Sequence, residues 1–557
     1  MQLAIRPTIW LRLTPHFDSL GVSALSVRLE IFQEFPTGQP MFVFNTFLDN
    51  VPAPPLEESD VIAIDDQGAL PFKFVNIPTK GRNRQQHWCP VRAVKGTLVI
   101  AYDVSARKVD KFTPVGTRID LRRDQGGLQG VGKWFLPQLI SDLTYTNVVE
   151  WRLPSNAPQE TRCLWSFGEG PKAIKRVGKS DAIWDSVYMA GPIRSYPETK
   201  PEFYNSEGFS VCHWFGSLPE NLDRIKGYNT ELFPRMMAHF RSHDETYHVF
   251  IRKVPFGYGG TGFLSSYVLE YDETIHAASD DALTRLFTHE MVHSFSKMDH
   301  EDGGYDNAWF TEGIAEFYSA LLPYRFGLRP RGYWADSINS HVRGYFTSPR
   351  INMDMHYAMK AFFDEWYVDW IAYKRGCSYL VLLDAILRRA SGKFDITTLG
   401  PLDDIVIDMA QRTKRGEMIR SNEWFGYLRR FLGEGDFPFE EHFYGMIRGE
   451  TLDFSMIAGH PTYRFFRCDR RILEYGLDRS SLRTRHITGV IKDSPPDRAG
   501  IKDGDVIVKA SNHNQCAEDI HAKMTLVLQK GDREETIVYL PRLDQTTLSY
   551  ELPQEEA

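Results

Sequence analysis

The sequence predicts a multidomain α+β protein: an antiparallel β-sandwich-like domain over residues 1–172, an α+β domain with a helical C-terminal part over 173–460, and a small unit over 465–545. Three observations predict it. Apolar and polar residues alternate with period two in the first part, long helical periodicities dominate beyond residue 281, and a Gly-Asp turn leads into a strand near residue 505. Strand-rich and helix-rich stretches that follow one another, instead of interleaving, are the signature of α+β rather than α/β.

The N-terminal stretch "MQLAIRPTIWLRLTPHFDS" carries Arg6 and Arg12 inside its apolar run and has no cleavage-site pattern, so it reads as a strand and not as a signal peptide. "SALSVRLEIFQEF", "GTLVIAYDVSARKV" and "NVVEWRLP" continue the alternation between Pro- and Gly-containing turns, which predicts a sandwich or a strongly bent sheet. No catalytic residue types cluster there. Further on, "FSVCHWF" and "YHVFIRKV" read as strands around the helical "NTELFPRMMAHFRS", and "GTGFLSSYVLEY" reads as one more strand. Four helices follow in "DALTRLFTHEMVHSFSK", "WFTEGIAEFYSALLPYR", "GCSYLVLLDAILRRASG" and "SNEWFGYLRRFLGEG". In the last unit we expect a short helix around Ala499, a strand in "KDGDVIVKA", a helix over "AEDIHAKMTLVLQ" and a strand in "EETIVYL", then a frayed polar tail over 546–557.

Bulk properties narrow the function. The 557 residues are 42% apolar and 25% charged, with a net charge of −8 and a pI near 6.1. An acidic chain of this kind disfavours nucleic acid or an anionic membrane as the main partner. No apolar run reaches the ~18 residues of a membrane helix. Six scattered cysteines without a CxxC pair predict reduced, buried thiols, and with no signal peptide in sight the expected location is cytoplasmic.

The chemistry concentrates in "THEMVHSFSKMDH", residues 288–300. His289 and His293 lie four apart on a helical pattern, so both imidazoles project from one face and suit a tetrahedral zinc. Glu290 sits on the adjacent flank, where it would hold a water and act as general base. The motif alone is compatible with two buried structural histidines, so the third ligand matters. Asp299 is one candidate, at a spacing that needs a sharp turn at Ser296, where glycine is usual. Glu312 is the other, eighteen residues beyond His293 on a second amphipathic helix that packs through Trp309, Phe310, Ile314, Phe317 and Tyr318. An antiparallel helix presents its carboxylate from the opposite side of the metal, and the spacing favours Glu312. Glu316, one turn later, would accept the second ring N–H of a ligand histidine; the alternative is a solvated helix glutamate.

HExxH, an eighteen-residue gap and a glutamate in "AWFTEGIAEFY" resemble the gluzincin zinc peptidases, and within them the glycyl aminopeptidase family. The resemblance implies an N-terminal β domain, a thermolysin-like catalytic domain and a C-terminal PDZ domain. It implies one Zn2+ per chain held by His289, His293 and Glu312, with Glu290 as the base that activates water for hydrolysis of a peptide substrate. Related enzymes carry a tyrosine before a Lys-Gly that opens a helix, whose phenol stabilises an oxyanion; "AYKRGCSYLVLLD" implies Tyr373 in that place, with Arg375 interposed and Tyr379 as local rival.

The family's substrate-pairing strand reads like GYGGLEH, and this chain has "GYGGTGFLSS". Gly259 and Gly260 are kept, while Thr261 and Gly262 stand where leucine and the ammonium-gripping glutamate are implied. A substrate ammonium buried without a carboxylate is unfavourable, so endopeptidase action and a non-peptide amide or ester substrate stay open beside aminopeptidase action. Glu270 and Asp272 are nearby acids that would replace the missing anchor. "SPPDRAGIKDGDVIV" resembles the PDZ pattern SPAxxAGLxxGDxI, with a carboxylate-binding loop expected around Gly476. Such a unit either binds a C-terminal peptide ligand or is docked as a structural part. A peptide-binding scaffold that has lost hydrolysis is the remaining alternative.

Overall fold

The computed structural model describes residues 6–48, 50–78, 83–111, 113–114, 116–198, 208–243, 245–255, 257–299, 307–362, 365–368, 370–433 and 437–553. The chain forms two compact units: Met1–Phe233 with His243–His276, and Pro234–Ser242 with Ala277–Ala557.

The first unit is β-rich. Strand Thr8–Asp18 turns Ile9, Leu11 and Leu13 inward and leaves Trp10 and Arg12 on the other face. The arginine in that apolar run is thereby explained: Arg12 Nε donates to Glu150 Oε2 at 2.8 Å and its guanidinium also pairs with Glu30. The strand pairs antiparallel with Gly21–Phe32 and parallel with Tyr145–Trp151 in a seven-stranded sheet. A second sheet runs in the order Gln138–Leu139, Phe42–Leu48, Arg84–Pro90, Phe72–Ile77. Between the two sheets lies an aromatic core, in which Trp88 packs on Phe42, Phe44, Phe74 and, from the first sheet, Tyr102.

A further five-stranded sheet in this unit has the order Ile193–Tyr196, Ser210–Phe215, Tyr247–Lys253, Ser266–Tyr271, Gly259–Phe263. Its three central strands are mutually parallel and buried almost throughout, as strands covered on both faces must be. The single strand expected over "GTGFLSSYVLEY" is a hairpin: Gly259–Phe263 folds back antiparallel onto Ser266–Tyr271 through Ser265, whose φ is 52°. Gly259–Phe263 is therefore an edge strand.

Two neutral histidines are buried in the central strands. His213 Nδ1 lies 2.8 Å from Ser195 Oγ, and His213 Nε2 lies 3.3 Å from His248 Nδ1. Burial pushes His248 down to about 3 and His213 well below its ordinary value, the latter helped by repulsion from His248, were both protonated, and from Arg162. Folded pKa values below the unfolded value of about 6.5 mean that the unfolded chain takes up protons first. Their contribution is thus fully present above pH 6.5 and is lost as pH falls toward 3. At pH 5.5 the protein should be less stable than at pH 7.5, by on the order of 1 kcal/mol per histidine. Denaturant unfolding at the two pH values checks this, with hydrogen exchange in Ser210–Phe215 and Tyr247–Lys253 expected to quicken first; equal stability at both would refute it.

The second unit is mainly helical. Helices Asp280–Val292, Ala308–Arg325, Arg331–Phe346 and Gly376–Ser391 surround the candidate site. Ala308–Arg325 and Gly376–Ser391 meet at two glycines: a Cβ on Gly313 would lie 2.6 Å from the Gly376 carbonyl carbon, and one on Gly376 2.2 Å from the Trp309 oxygen. Only side-chain-free positions allow that approach, and it brings the start of one helix against the Glu312 turn of the other.

The last part of the chain departs from expectation in two places. The helix lies at His513–Glu518, started by Asn512, whose side chain accepts from Asn514 N at 3.0 Å. "MTLVLQ", expected as helix, is strand Met524–Lys530, because Met524, Leu526 and Leu528 are buried at period two. The expected frayed tail is a strand, Arg542–Glu551, paired antiparallel with Phe466–Leu473, and Leu552 is clamped by both backbone groups to Asn339 at 2.7 and 2.9 Å. Only 554–557 of that tail lie outside the described residues. A three-stranded sheet of Val506–Ala510, Met524–Lys530 and Arg533–Tyr539 completes the module, with Pro495–Arg498 as the short helix before Ala499. All six cysteines are free thiols; Cys163, Cys212, Cys377 and Cys516 are buried, but Cys89 and Cys468 are half-exposed. Among the described residues no helix is long and apolar enough to cross a membrane.

Candidate metal centre

Helix Asp280–Val292 is started by Ser279, whose hydroxyl accepts from Ala282 N at 3.1 Å, with Asp280 and Asp281 in the favourable first turn. It ends one residue before His293, which occupies the C-cap. The i, i+4 spacing survives that ending, and His289 Nε2 and His293 Nε2 stand 3.1 Å apart. Trp309, Phe310, Ile314, Phe317 and Tyr318 are all buried on helix Ala308–Arg325. This packing brings Glu312 Oε2 to 3.4 Å from His289 Nε2 and 3.5 Å from His293 Nε2.

Among the described residues these three form the one group of potential ligands whose donor atoms all lie within 4.8 Å of one another. Their separations are close to the ~3.3 Å that neighbouring donors span around a tetrahedral zinc with bonds of roughly 2.0–2.1 Å. Glu312 Oε2 is buried and accepts no hydrogen bond, as suits an oxygen facing a cation. Two imidazoles and one carboxylate, with a fourth position left over, fit a catalytic zinc. Burial works to raise the Glu312 carboxyl, but His293 and His289 outweigh it and bring it down to about 2. Burial likewise opposes charge on His289, yet Glu316 and Glu312 lift it well above its ordinary value.

Glu316 is placed beside this group and not in solvent. Its Oε2 lies 3.7 Å from His289 Nδ1 and 3.2 Å from Nε2 of His341, a buried histidine of helix Arg331–Phe346. Burial is again offset, here by His341, His289 and Lys374, and Glu316 is held below the usual carboxylate range. Glu290 is 8% exposed on the HExxH helix. Tyr373 lies in a π-helical turn, Ile371–Arg375, its ring stacked on His289 with centroids 5.8 Å apart and planes at 12°. The interposed Arg375 is buried and donates to the carbonyls of Ile351, Met353 and Met446, tying the turn down. The rival Tyr379 is a core residue, fully buried between Trp309, His442 and Phe443.

Asp299 lies outside the ligand group. Its backbone N donates to Ile419 O at 2.7 Å and its Oδ2 accepts from Ile419 N at 2.8 Å, so it ties two loops together. Most of the acidic stretch that follows it, 300–306, lies outside the described residues.

Gly259, Gly260, Thr261 and Gly262 form the edge strand of the first unit. Arg118 donates to Gly260 O at 2.7 Å and to Thr261 Oγ1 at 3.2 Å. Neither acid suggested as a substitute anchor is available. Glu270 is buried under Arg252 at 2.6 Å, Arg122 at 3.3 Å and Arg118 at 3.7 Å. Asp272 accepts from the backbone of Gly257 and Thr274 at 2.7 and 2.8 Å.

Sequence reasoning missed His341, Lys374 and Glu518. Lys374 Nζ lies 3.4 Å from His341 Nδ1 and donates to Glu518 Oε1 at 2.6 Å. No local pattern marks these residues, which are 33 and 144 positions apart.

No protein-family model matches the chain, and no curated protein does. Solved structures do share its fold. An aminopeptidase N family protein from Idiomarina loihiensis matches with a TM-score of 0.61 at 14% identity, over 98% of this chain and 98% of that one. The M1 zinc metallopeptidase from Deinococcus radiodurans, native and as a mutant bound to a Tyr-Ser-Ala substrate, matches with a TM-score of 0.50 at 13% identity, over 80% of this chain and 95% of that one. The chain has the multidomain α+β fold of these structures.

Proposed function

We propose that this protein is a zinc-dependent metallopeptidase, aminopeptidase-like in type, that binds one Zn2+ through His289, His293 and Glu312. The observation that carries this is the donor triangle of 3.1, 3.4 and 3.5 Å. Its fold neighbours include zinc metallopeptidases, one of them holding a peptide. When bound, zinc supplies Lewis acidity that polarises a carbonyl and lowers the pKa of water. Glu290 takes the proton from the attacking water and passes it to the leaving amine. Tyr373 donates a hydrogen bond to the oxyanion of the tetrahedral intermediate, needing no ionisation to do so. Glu316 orients His289 and strengthens it as a ligand. The edge strand through Gly259, Gly260, Thr261 and Gly262 receives an extended peptide by strand addition. Residues 465–545 are read as a PDZ-like module, and the protein as cytoplasmic.

Endopeptidase action, or cleavage of a non-peptide amide or ester, is the second reading. It is favoured by Gly262 in place of a glutamate and by the occupied carboxylates of Glu270 and Asp272. Metal analysis of purified protein, then a peptide library with free and blocked N-termini, tests both. Zinc at one per chain and cleavage of free N-termini alone support the first reading, and equal cleavage of blocked peptides the second. Absence of zinc or of any hydrolysis refutes both.

Tyr373→Phe should lower kcat about 100-fold, with KM and zinc content little changed. Tyr379→Phe should leave kcat near its original value, and steady-state kinetics of the two variants separates them.

A further inference from the structure

Glu518 ends helix His513–Glu518, far along the chain from the HExxH motif. Its carboxylate accepts from Lys374 Nζ at 2.6 Å through Oε1 and from Arg285 Nη2 at 3.2 Å through Oε2. Lys374 is 4% exposed and follows Tyr373 directly. From Lys374 the contacts continue to His341 Nδ1 at 3.4 Å, from His341 Nε2 to Glu316 at 3.2 Å, and from Glu316 to His289 Nδ1 at 3.7 Å. An ammonium has only protons to give, so His341 Nδ1 must be the acceptor and its proton sits on Nε2, beside the Glu316 carboxylate. That arrangement turns the His341 Nε2–H toward the Glu316 carboxylate, which in turn faces Nδ1 of His289, a candidate zinc ligand. One carboxylate at the end of this relay thus bears on the lysine next to Tyr373 and on the orientation of His289.

The carboxylate is not alone in docking the helix. Arg343 Nη1 donates to the backbone oxygen of Glu518 at 2.6 Å, Arg542 binds the Cys516 carbonyl, and Trp370 Nε1 donates to Asn514 Oδ1 at 3.0 Å. None of these contacts uses the Glu518 carboxylate, so they should persist when that side chain is changed.

We propose that Glu518 is a positioning residue of the hydrolytic site, acting from the C-terminal module through Lys374 and His341. The inference rests on the zinc-peptidase reading above. The full-length chain tests it as Glu518→Gln, Glu518→Asp, Lys374→Met and the double variant of Glu518→Gln with Lys374→Met. Glu518→Gln should lower kcat at least 10-fold with KM within about 2-fold, and weaken metal binding about 10- to 100-fold, as loss of outer support for a ligand histidine does. Its Co2+-substituted form should show a shifted visible spectrum. Glu518→Asp should recover part of both losses, and the double variant should be no worse than the poorer single variant, because the two residues act in series. A Glu518→Gln protein that is less stable but keeps kcat, metal affinity and cobalt spectrum would overturn the proposal and leave Glu518 as a docking contact, as would additive losses in the double variant. If the unaltered protein binds cobalt but hydrolyses nothing, the peptidase reading fails, and affinity and spectrum still decide the relay.

Discussion

Glu290→Gln should keep its metal and lose hydrolysis. A general base contributes about 10²- to 10⁴-fold, and its removal leaves the attacking water without a proton acceptor, so kcat/KM should drop by roughly 10³ or more, about 4 kcal/mol of transition-state stabilisation. The substitution is clean because glutamine matches the size of glutamate, so nothing collapses around a side chain that is 8% exposed. A neutral amide is also easier to bury than a carboxylate, so the unfolding temperature should hold or rise. His289, His293 and Glu312 keep their places, and metal content should stay at the unaltered level. Metal analysis, thermal unfolding and steady-state kinetics on one preparation check all three statements. Undiminished kcat/KM with zinc bound would falsify the role given to Glu290 and shift attention to Glu316 or to a base supplied by the substrate.

Much of the fold was legible because the driving pattern is local. The alternation in "TIWLRLT" reports which side of the strand is buried, and the structure turns Ile9, Leu11 and Leu13 inward. The packing face of helix Ala308–Arg325 was readable for the same reason, since its apolar positions recur at helical spacing. The His289, His293 and Glu312 grouping was legible because two of its members are four residues apart and the third lies one helical connection away. Helix ends were harder to read. "HAKMTLVLQ" has enough apolar residues to suit either period, and Asn512, which starts the helix earlier, sits just outside the window.

The relay behind the site was not legible at all. His341 lies on a helix face with Ile338 and Val342, where a histidine looks like any other buried polar residue. Lys374 and Glu518 meet only after the last module has folded onto the helices, and long-range pairing of single charges has no sequence period. Glu270 and Asp272 illustrate the converse. Both are acids near a glycine strand, and from sequence both look available. Buried carboxylates are stable only with partners; of the arginines that take up Glu270, Arg252 sits opposite it on the neighbouring strand, while Arg118 and Arg122 come from a distant segment.

Glu312→Ala should release the metal and Asp299→Ala should not. A catalytic zinc needs three protein donors, and the alanine leaves two imidazoles 3.1 Å apart with no anion between them. Zinc affinity should fall by about 10³ or more, roughly 4 kcal/mol. The carboxylate also helps to lift His289 well above its ordinary value, so its loss should make that imidazole easier to deprotonate in the metal-free protein. Asp299→Ala breaks a different thing. Its side chain receives the Ile419 N–H at 2.8 Å, and losing that bond should destabilise the unit by about 1–2 kcal/mol with zinc retained. The two variants thus divide metal affinity from stability, and equilibrium dialysis beside denaturant unfolding reads both. The opposite pattern, zinc lost with Asp299 and kept without Glu312, would place the third donor on the loop after the HExxH helix. Helix Ala308–Arg325 would then have no part in holding the metal, although its packing sets Glu312 Oε2 within 3.5 Å of both histidines.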